Sequence, residues 1–127
     1  MQFSFFSPAQ IQFGWGKRHK AGQFARTLGQ HARIILGSRQ LAKTLEYEQL
    51  CESLETAGIS TKVLATISQE PEVDDVDRTT RQLLDQKNVE PIDFLIAVGG
   101  GSAIDLTKAV SSMTTNRKGD SVSDYLE

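Results

Sequence analysis

The stretch FLIAVGGGSAIDLTKAVSSM, residues 94–113, determines the expected fold. Residues 94–98 are apolar with no polar alternation, which is typical of a strand covered on both faces in a parallel sheet. After the glycines, apolar residues recur three and four positions apart, as one buried face of a helix requires. These residues are Ala103, Leu106, Ala109, Val110 and Met113. The stretch therefore predicts a strand, a tight turn and a helix.

The turn in this stretch consists of Gly99, Gly100 and Gly101. Because they have no β-carbons, they let an anionic group approach the backbone N–H groups closely. The start of the following helix supplies free amides and a positive dipole end. The turn therefore suits a pyrophosphate. Two alternatives remain open: the glycines only turn the chain, or Ser102 and Asp105 form a capping box that satisfies the helix's own amides.

The standard dinucleotide fingerprint is not present, because its third glycine would fall at Ile104 and its turn would follow the first strand of the domain. Here strands and helices alternate before the glycines. Strands are predicted at 33–36 and 60–64, and helices at 21–28, 47–57 and 73–84. This order implies an α/β fold with a doubly wound, mostly parallel sheet and helices on both faces. Residues 3–13 predict an N-terminal β-hairpin.

The composition describes one globular domain, with 127 residues, 39% hydrophobic side chains, 24% charged side chains and a net charge of −2. The scattered basic residues argue against nucleic acid as a partner. No apolar run approaches the length of a membrane span, and the N-terminus lacks the pattern of a secretory signal, so a cytoplasmic location is expected. Cys51 is the single cysteine and is expected to be a buried helical thiol.

The pattern Gly-Gly-Gly-Ser-x-x-Asp-x-x-Lys after an apolar strand resembles the nucleotide-binding signature of the iron-containing (group III) alcohol dehydrogenases. Relatives of that family include glycerol dehydrogenase, maleylacetate reductase and dehydroquinate synthase. The likeness extends over the whole chain, through residues 5–16, 33–39, 70–71 and 116–126. It is therefore more specific than the glycines alone, and it implies that residues 1–127 are a dinucleotide-binding domain.

The resemblance implies a coenzyme contact at Gly37, Ser38 and Arg39, directly after the strand at 33–36. The family commonly has an aspartate there, which would accept hydrogen bonds from the adenosine ribose, and Ser38 occupies its place. An acidic side chain repels a 2′-phosphate, whereas a hydroxyl followed by a guanidinium can hold one with charge-assisted bonds. This departure predicts NADP rather than NAD. The alternative is that Arg39 is only a solvated residue at a helix start.

The family positions that match Gly100, Gly101, Ser102 and Asp105 surround the pyrophosphate and the nicotinamide side of the cofactor. The resemblance implies the same roles here, together with Lys108. For Asp105 and Lys108, the alternative is a simple surface ion pair, because these two residues are three positions apart on the predicted helix.

The resemblance also implies an iron or zinc ion that activates the alcohol oxygen or the carbonyl, held by histidines and a carboxylate. His19 and His31 have no second ligand at helical spacing, so both are expected to be exposed polar residues and no metal ligand is expected in this chain. In the family, the metal ligands lie in a helical C-terminal domain, beyond where this sequence stops. The chain is therefore interpreted as the cofactor-binding part of a longer enzyme, inert by itself.

The intact enzyme is expected to transfer a hydride between NADP or NAD and a small alcohol, aldehyde or ketone. Two other functions remain open: a stand-alone nucleotide-binding module with a regulatory role, and a dehydroquinate-synthase-like lyase fragment. Ser102 and the start of the chain argue against the lyase. The apolar strands predicted in residues 3–13 need covering, either by the rest of the fold or by a second subunit, and a homodimer through that edge is one expectation.

Overall fold

The structure, a computed structural model, describes residues 16–115, in which helices and strands alternate as the sequence predicts. In chain order, a 3-10 turn (Lys17–Lys20) leads into α1 (Ala21–Ala25), followed by β1 (His31–Leu36), a second 3-10 turn (Leu41–Lys43), α2 (Leu45–Thr56), β2 (Ser60–Thr66), α3 (Val73–Lys87), β3 (Phe94–Val98) and α4 (Gly101–Thr115).

The three strands form one parallel sheet in the order β2-β1-β3. The central strand β1 pairs with the whole length of β3, from Ala32 opposite Phe94 to Leu36 opposite Val98. Its register with β2 shifts by one residue between Ile34 and Ile35. Because both neighbours are parallel to β1, the carboxyl ends of all three strands lie at the same edge of the sheet.

Helices cover both faces of this sheet. On one face, α3 and α4 pack against Ile35 and Leu64, and on the other, α1 and α2 pack against Ala32. The larger of the two cores contains Ile35, Leu64, Ile67, Val76, Leu83, Ile92, Ala103, Leu106, Val110 and Met113. The predicted doubly wound α/β architecture is confirmed for residues 16–115. The predicted hairpin at 3–13 lies outside the described residues.

The first helix is shorter than the sequence predicts. The α-helix ends at Ala25, and Leu28, placed by its spacing on the buried face, is 62% exposed. The helix α1 packs closely on α2 at Gly22, where a β-carbon would overlap the backbone carbonyl of Ser53. Ala21 and Ala25 pack against the core on this face but Leu28 does not, so the periodicity alone placed Leu28 wrongly.

Three burial predictions also differ from the structure. Every residue of β3 is half-buried rather than buried, because β3 lies at one edge of the described sheet. Cys51 is half-buried on α2. His19 is exposed as expected, whereas His31 is half-buried, with its Nδ1 atom 3.1 Å from the Ser60 hydroxyl.

The amino end of the sheet is held together by polar contacts. The carboxylate of Asp93 accepts hydrogen bonds from the amides of Gln30, at 2.9 Å, and His31, at 3.0 Å. Arg33 is a buried residue, only 2% exposed, and its guanidinium pairs with Glu90. These contacts join the start of β1 to the loop before β3, at the end of the sheet opposite the glycine turn.

No helix within residues 16–115 combines the length and the apolar character needed to cross a lipid bilayer.

Candidate functional site

The two turns that the sequence singles out lie side by side at the carboxyl edge of the sheet. The amide of Gly37 donates a hydrogen bond to the carbonyl of Val98 at 2.8 Å. A β-carbon on Gly37 would lie 3.1 Å from the α-carbon of Gly99, and one on Gly99 only 2.8 Å from the α-carbon of Gly37. The structure therefore brings the turn at 37–39 and the turn at 99–101 together at the ends of adjacent strands.

The space between these turns is the switch point of the sheet. The chain leaves β1 towards α2 on one face and leaves β3 towards α4 on the opposite face. In doubly wound sheets with the strand order 2-1-3, this divergence opens a crevice between the first and third strands, and ligands bind there. The topology therefore puts both turns at the expected position of a ligand site.

The three glycines of the β3–α4 turn have different surroundings. Gly99 has a backbone φ of 143° and lies against Gly37, so both its conformation and its packing require glycine. A β-carbon on Gly100 or Gly101 would meet no heavy atom within 4 Å, and neither residue has a positive φ. Packing within residues 16–115 does not require glycine at these two positions, and their open backbone leaves room for a group to approach closely.

The backbone amides at the start of α4 also lack partners in the described part of the chain. The first turn of α4 closes with a hydrogen bond from the Ile104 amide to the Gly100 carbonyl at 3.2 Å, which makes Gly100 the N-cap. Within residues 16–115, no acceptor pairs with the amides of Gly100, Gly101 or Ser102. Such amides, together with the positive end of a helix of 15 residues, form an anion-binding arrangement.

Neither the capping box nor the surface ion pair that the sequence permits at the start of α4 forms among residues 16–115. Because Gly100 is the N-cap, Ser102 lies inside the helix and cannot be the first residue of a capping box. Asp105 and Lys108 are exposed, and no ion pair joins them to each other or to another residue in the range 16–115. The side chains of Ser102, Asp105 and Lys108 are thus not used by the described fold.

In the turn after β1, the side chain of Ser38 forms a hydrogen bond within the fold, whereas that of Arg39 has no partner among the described residues. The hydroxyl of Ser38 accepts a hydrogen bond from the Leu41 amide at 3.3 Å, which stabilises the 3-10 turn at Leu41–Lys43. The hydroxyl hydrogen of Ser38 is still available as a donor. Arg39 is exposed, and no acceptor in the described part of the chain binds its guanidinium.

Sequence reasoning did not find the division among the glycines. The sequence analysis treated Gly99, Gly100 and Gly101 alike. The contact between Gly37 and Gly99, which are 62 positions apart, shows that Gly99 is required for packing, whereas Gly100 and Gly101 face open space. No local signal in the sequence could have indicated this, because the contact depends on how β1 and β3 pair.

The described residues contain no metal-ligand cluster. In the range 16–115, no three His, Cys, Asp or Glu side chains come together in a way that could hold a metal ion. His31 lies at the start of β1, at the opposite end of the sheet from the glycine turn. His31 is therefore separated from the candidate site by the length of its strand.

Comparison with known proteins gives a consistent result. The sequence profile of the iron-containing alcohol dehydrogenases matches residues 8–127. The chain is 31% identical over 110 residues to the probable NADH-dependent butanol dehydrogenase 1 of Bacillus subtilis (strain 168), a match that covers 87% of this chain and 27% of that protein. It is 29% identical to the NADPH-dependent butanol dehydrogenase of Clostridium saccharobutylicum, over 84% of this chain and 26% of that protein.

A solved structure agrees with the fold. The crystal structure of sulfoacetaldehyde reductase from Bifidobacterium kashiwanohense in complex with NAD+ matches with a TM-score of 0.71 and 28% identity, over 98% of this chain and 31% of that one. The chain thus spans about a quarter to a third of the length of these relatives.

Proposed function

Because the chain belongs to the iron-containing alcohol dehydrogenase family, we propose that it binds a nicotinamide dinucleotide at the crevice between β1 and β3. The observation that carries the proposal is the open backbone at Gly100 and Gly101, where a β-carbon would meet nothing within 4 Å. The site fits an anionic diphosphate, because its amides have no partner within residues 16–115 and the start of α4 contributes a positive dipole end.

The residues proposed to hold the diphosphate and the nicotinamide side are those around the β3–α4 turn. Gly99 fixes the backbone, the amides of Gly100, Gly101 and Ser102 donate to the phosphate oxygens, and the Lys108 ammonium adds a positive charge from the exposed side of α4. Asp105, an acceptor one turn into the helix, is assigned to the nicotinamide side by the family resemblance.

We further propose that the coenzyme is NADP rather than NAD. The turn that follows β1 consists of Gly37, Ser38 and Arg39, and it contains no carboxylate that would repel a 2′-phosphate. The Arg39 guanidinium has no acceptor within residues 16–115 and can bind such a phosphate, with the Ser38 hydroxyl as a second donor. The names of the relatives show both preferences, since one butanol dehydrogenase is called NADH-dependent and another NADPH-dependent.

In the complete protein, the proposed reaction is hydride transfer between this coenzyme and a small alcohol, aldehyde or ketone. The nicotinamide supplies the hydride chemistry, and the residues described here bind and orient it. Residues 1–127 are proposed to be the coenzyme-binding part of a longer dehydrogenase, and the iron or zinc ion that activates the substrate is assigned to polypeptide outside this chain. The family match supports this dehydrogenase over the lyase or a regulatory module.

Calorimetric titration with NADP and with NAD tests the coenzyme proposal. We expect tighter binding of NADP, and a loss of about tenfold in NADP affinity in Arg39→Gln, because one charge-assisted phosphate contact is worth roughly 1.4 kcal/mol or more. Arg26→Gln is the matched control, since Arg26 is also exposed but lies at the end of α1. Equal affinities for both coenzymes, or equal losses in the two variants, would refute the NADP preference.

A turnover assay tests the proposal that the substrate-activating metal ion is bound by polypeptide outside this chain. We expect no alcohol-dependent reduction of NADP by residues 1–127 with added iron or zinc, because no metal-ligand cluster occurs within residues 16–115. Measurable turnover would contradict the assignment of substrate activation to other polypeptide.

A further inference from the structure

A cavity of about 200 Å³, here called the β2–α3 cavity, lies between the end of β2 and α3. Leu64 and Ile67 of β2 and its following residue, together with Leu106 of α4, supply a buried apolar wall. Thr66 and Gln82 also line it and are exposed, so the cavity opens to solvent between them. At roughly 30 Å³ for each water molecule, it has room for about seven waters or for one small organic molecule.

Thr79 lines this cavity from α3 with a hydroxyl that the fold does not use. The residue is 2% exposed, and its hydroxyl has no hydrogen-bond partner within residues 16–115. The threonines of α4 behave differently, because their hydroxyls donate to carbonyls three or four positions earlier in the helix, at 2.7 Å from Thr107 and 2.9 Å from both Thr114 and Thr115. A buried hydroxyl without a partner is destabilising, so Thr79 favours an occupant that forms hydrogen bonds.

The charged groups that line the cavity neutralise each other. One carboxylate oxygen of Asp75 accepts a hydrogen bond from the Glu72 amide at 2.9 Å, and the other accepts one from the Arg78 guanidinium at 2.8 Å. Both oxygens of Asp75 are therefore used within the chain, and its charge is balanced. Because an ion loses its hydration on entering such a cavity and gains no unpaired opposite charge there, a neutral polar ligand fits better.

Two polar side chains of α3 remain for a neutral ligand. Thr79 and Gln82 are three positions apart, so they are neighbours on one face of the helix. A hydroxyl and a carboxamide can each donate and accept hydrogen bonds, and Gln82 also has no partner within residues 16–115. A molecule with hydroxyl groups on adjacent carbons can bond to both side chains at once. Its short hydrocarbon part would then contact Leu64, Ile67 and Leu106.

We propose that the β2–α3 cavity is a binding site for a short aliphatic 1,2-diol, whose two hydroxyl groups bond to Thr79 and Gln82. This site is separate from the crevice between β1 and β3, because none of the residues in the turns at 37–39 and 99–101 lines the cavity. The inference therefore goes beyond the proposed coenzyme binding and does not depend on it.

Titration of the 127-residue chain with propane-1,2-diol, followed by two-dimensional ¹⁵N–¹H NMR, tests the proposal. We expect saturable shifts of the Thr79 and Gln82 amides with a dissociation constant in the millimolar range, since a ligand of roughly five heavy atoms rarely binds more tightly. Propan-1-ol, which lacks one of the two hydroxyl groups, should bind about fivefold more weakly because one hydrogen bond is lost. Shifts that do not saturate up to about 100 mM, or equal affinities for the two molecules, would refute the diol site.

Two threonine variants separate ligand binding from packing. Thr79→Val should weaken diol binding about tenfold, because a hydroxyl of the diol loses its partner. It should not lower the melting temperature, since the Thr79 hydroxyl bonds to no group within residues 16–115. Thr80→Val is the matched control, because Thr80 is also buried on α3 and its Oγ1 atom has no partner there, but it does not line the cavity.

The control variant Thr80→Val is expected to keep the diol affinity of the unsubstituted protein. Equal losses of affinity in the two variants, or no loss in Thr79→Val, would mean that the diol does not bind at Thr79. A lower melting temperature of Thr79→Val would mean that its hydroxyl has a partner within the protein, and would also overturn the proposal.

Discussion

At the amino end of the sheet, Asp93 and Glu90 are bonded within the chain, whereas at the carboxyl end Asp105 and Lys108 have no ion-pair partner among residues 16–115. Both ends contain acidic side chains, Asp93 and Glu90 in the loop before β3 and Asp105 in α4. Arg33, which is buried, needs the partner that Glu90 supplies, because an unpaired charged group is costly when it is buried, whereas Asp105 and Lys108 are exposed. Groups left without partners around an open backbone are therefore the ones available to a ligand.

The glycines show the same contrast. At the amino end, Gly29 lies against Asp93 so closely that a β-carbon would overlap that side chain. At the carboxyl end, Gly99 is similarly restricted by Gly37, but Gly100 and Gly101 face open space. If this comparison is correct, substitutions at these glycines should separate stability from binding.

The largest effect on stability is expected for Gly99→Ala. The substitution forces a residue with a β-carbon into a φ of 143° and to 2.8 Å from the Gly37 α-carbon. Backbone strain and overpacking each cost on the order of 1 to 3 kcal/mol, so we expect the free energy of unfolding to fall by about 3 kcal/mol. Urea denaturation measures this change. A loss below about 1 kcal/mol would show that the turns do not pack as described.

Gly101→Ala is expected to change binding rather than stability. Position 101 is the first residue of α4 and has free space around it, so alanine should leave stability unchanged or raise it by up to about 1 kcal/mol. A methyl group beside the free amides should weaken dinucleotide binding about tenfold, or roughly 1.4 kcal/mol. Denaturation and calorimetry on the same protein provide both values, and unchanged affinity would contradict the proposed diphosphate site.

The strand and helix positions were largely predictable from the sequence, because β1, β3 and α4 each carry a local apolar pattern with a glycine turn or a helical period. Leu28 was misplaced because its exposure depends on where α1 leaves α2. The half-buried state of β3 depends on its place in the strand order. The spacing of Asp105 and Lys108 permits an ion pair, but spacing alone does not form one.

The contacts of the amino end were not predictable at all. Asp93 bonds to amides 62 and 63 positions away, and Glu90 reaches Arg33 across 57 positions. Such contacts arise only when parallel strands and the loop before β3 are assembled. The candidate site was more accessible to sequence reasoning, because most of its groups lie within one turn and the helix that follows it.

Part of the pH dependence of stability should come from the amino end, and part from Asp75 at the start of α3, whose pKa is lowered first by the hydrogen bond from the Glu72 amide. Amide hydrogen bonds from Gln30 and then His31 lower the pKa of Asp93 from 3.8, and the hydrogen bond from Lys62 is the main cause that lowers the pKa of Glu90 from 4.5. A carboxyl group whose pKa is lower in the folded state stabilises the fold fully above its ordinary value. That stabilisation is lost as the pH falls through the lowered value.

We therefore expect the free energy of unfolding to decrease as the pH falls from 5 to about 3, and to decrease less steeply in Asp93→Asn. Urea denaturation across this range provides the slope for each protein. Asp85→Asn, at an exposed carboxylate on α3, is the matched control for the loss of one charge. An identical slope in Asp93→Asn and the unsubstituted protein would mean that the amide contacts of Asp93 do not persist in solution.

The smallest effects on stability are expected at the carboxyl end, for Asp105→Asn and Lys108→Gln. Both side chains are exposed and form no ion pair within residues 16–115, so each substitution should change the free energy of unfolding by less than about 0.5 kcal/mol. A double-mutant cycle should give a coupling energy near zero. A clearly favourable coupling energy would mean that Asp105 and Lys108 form a surface ion pair in solution. Zero coupling together with weaker dinucleotide binding in Lys108→Gln would instead support their use by the ligand.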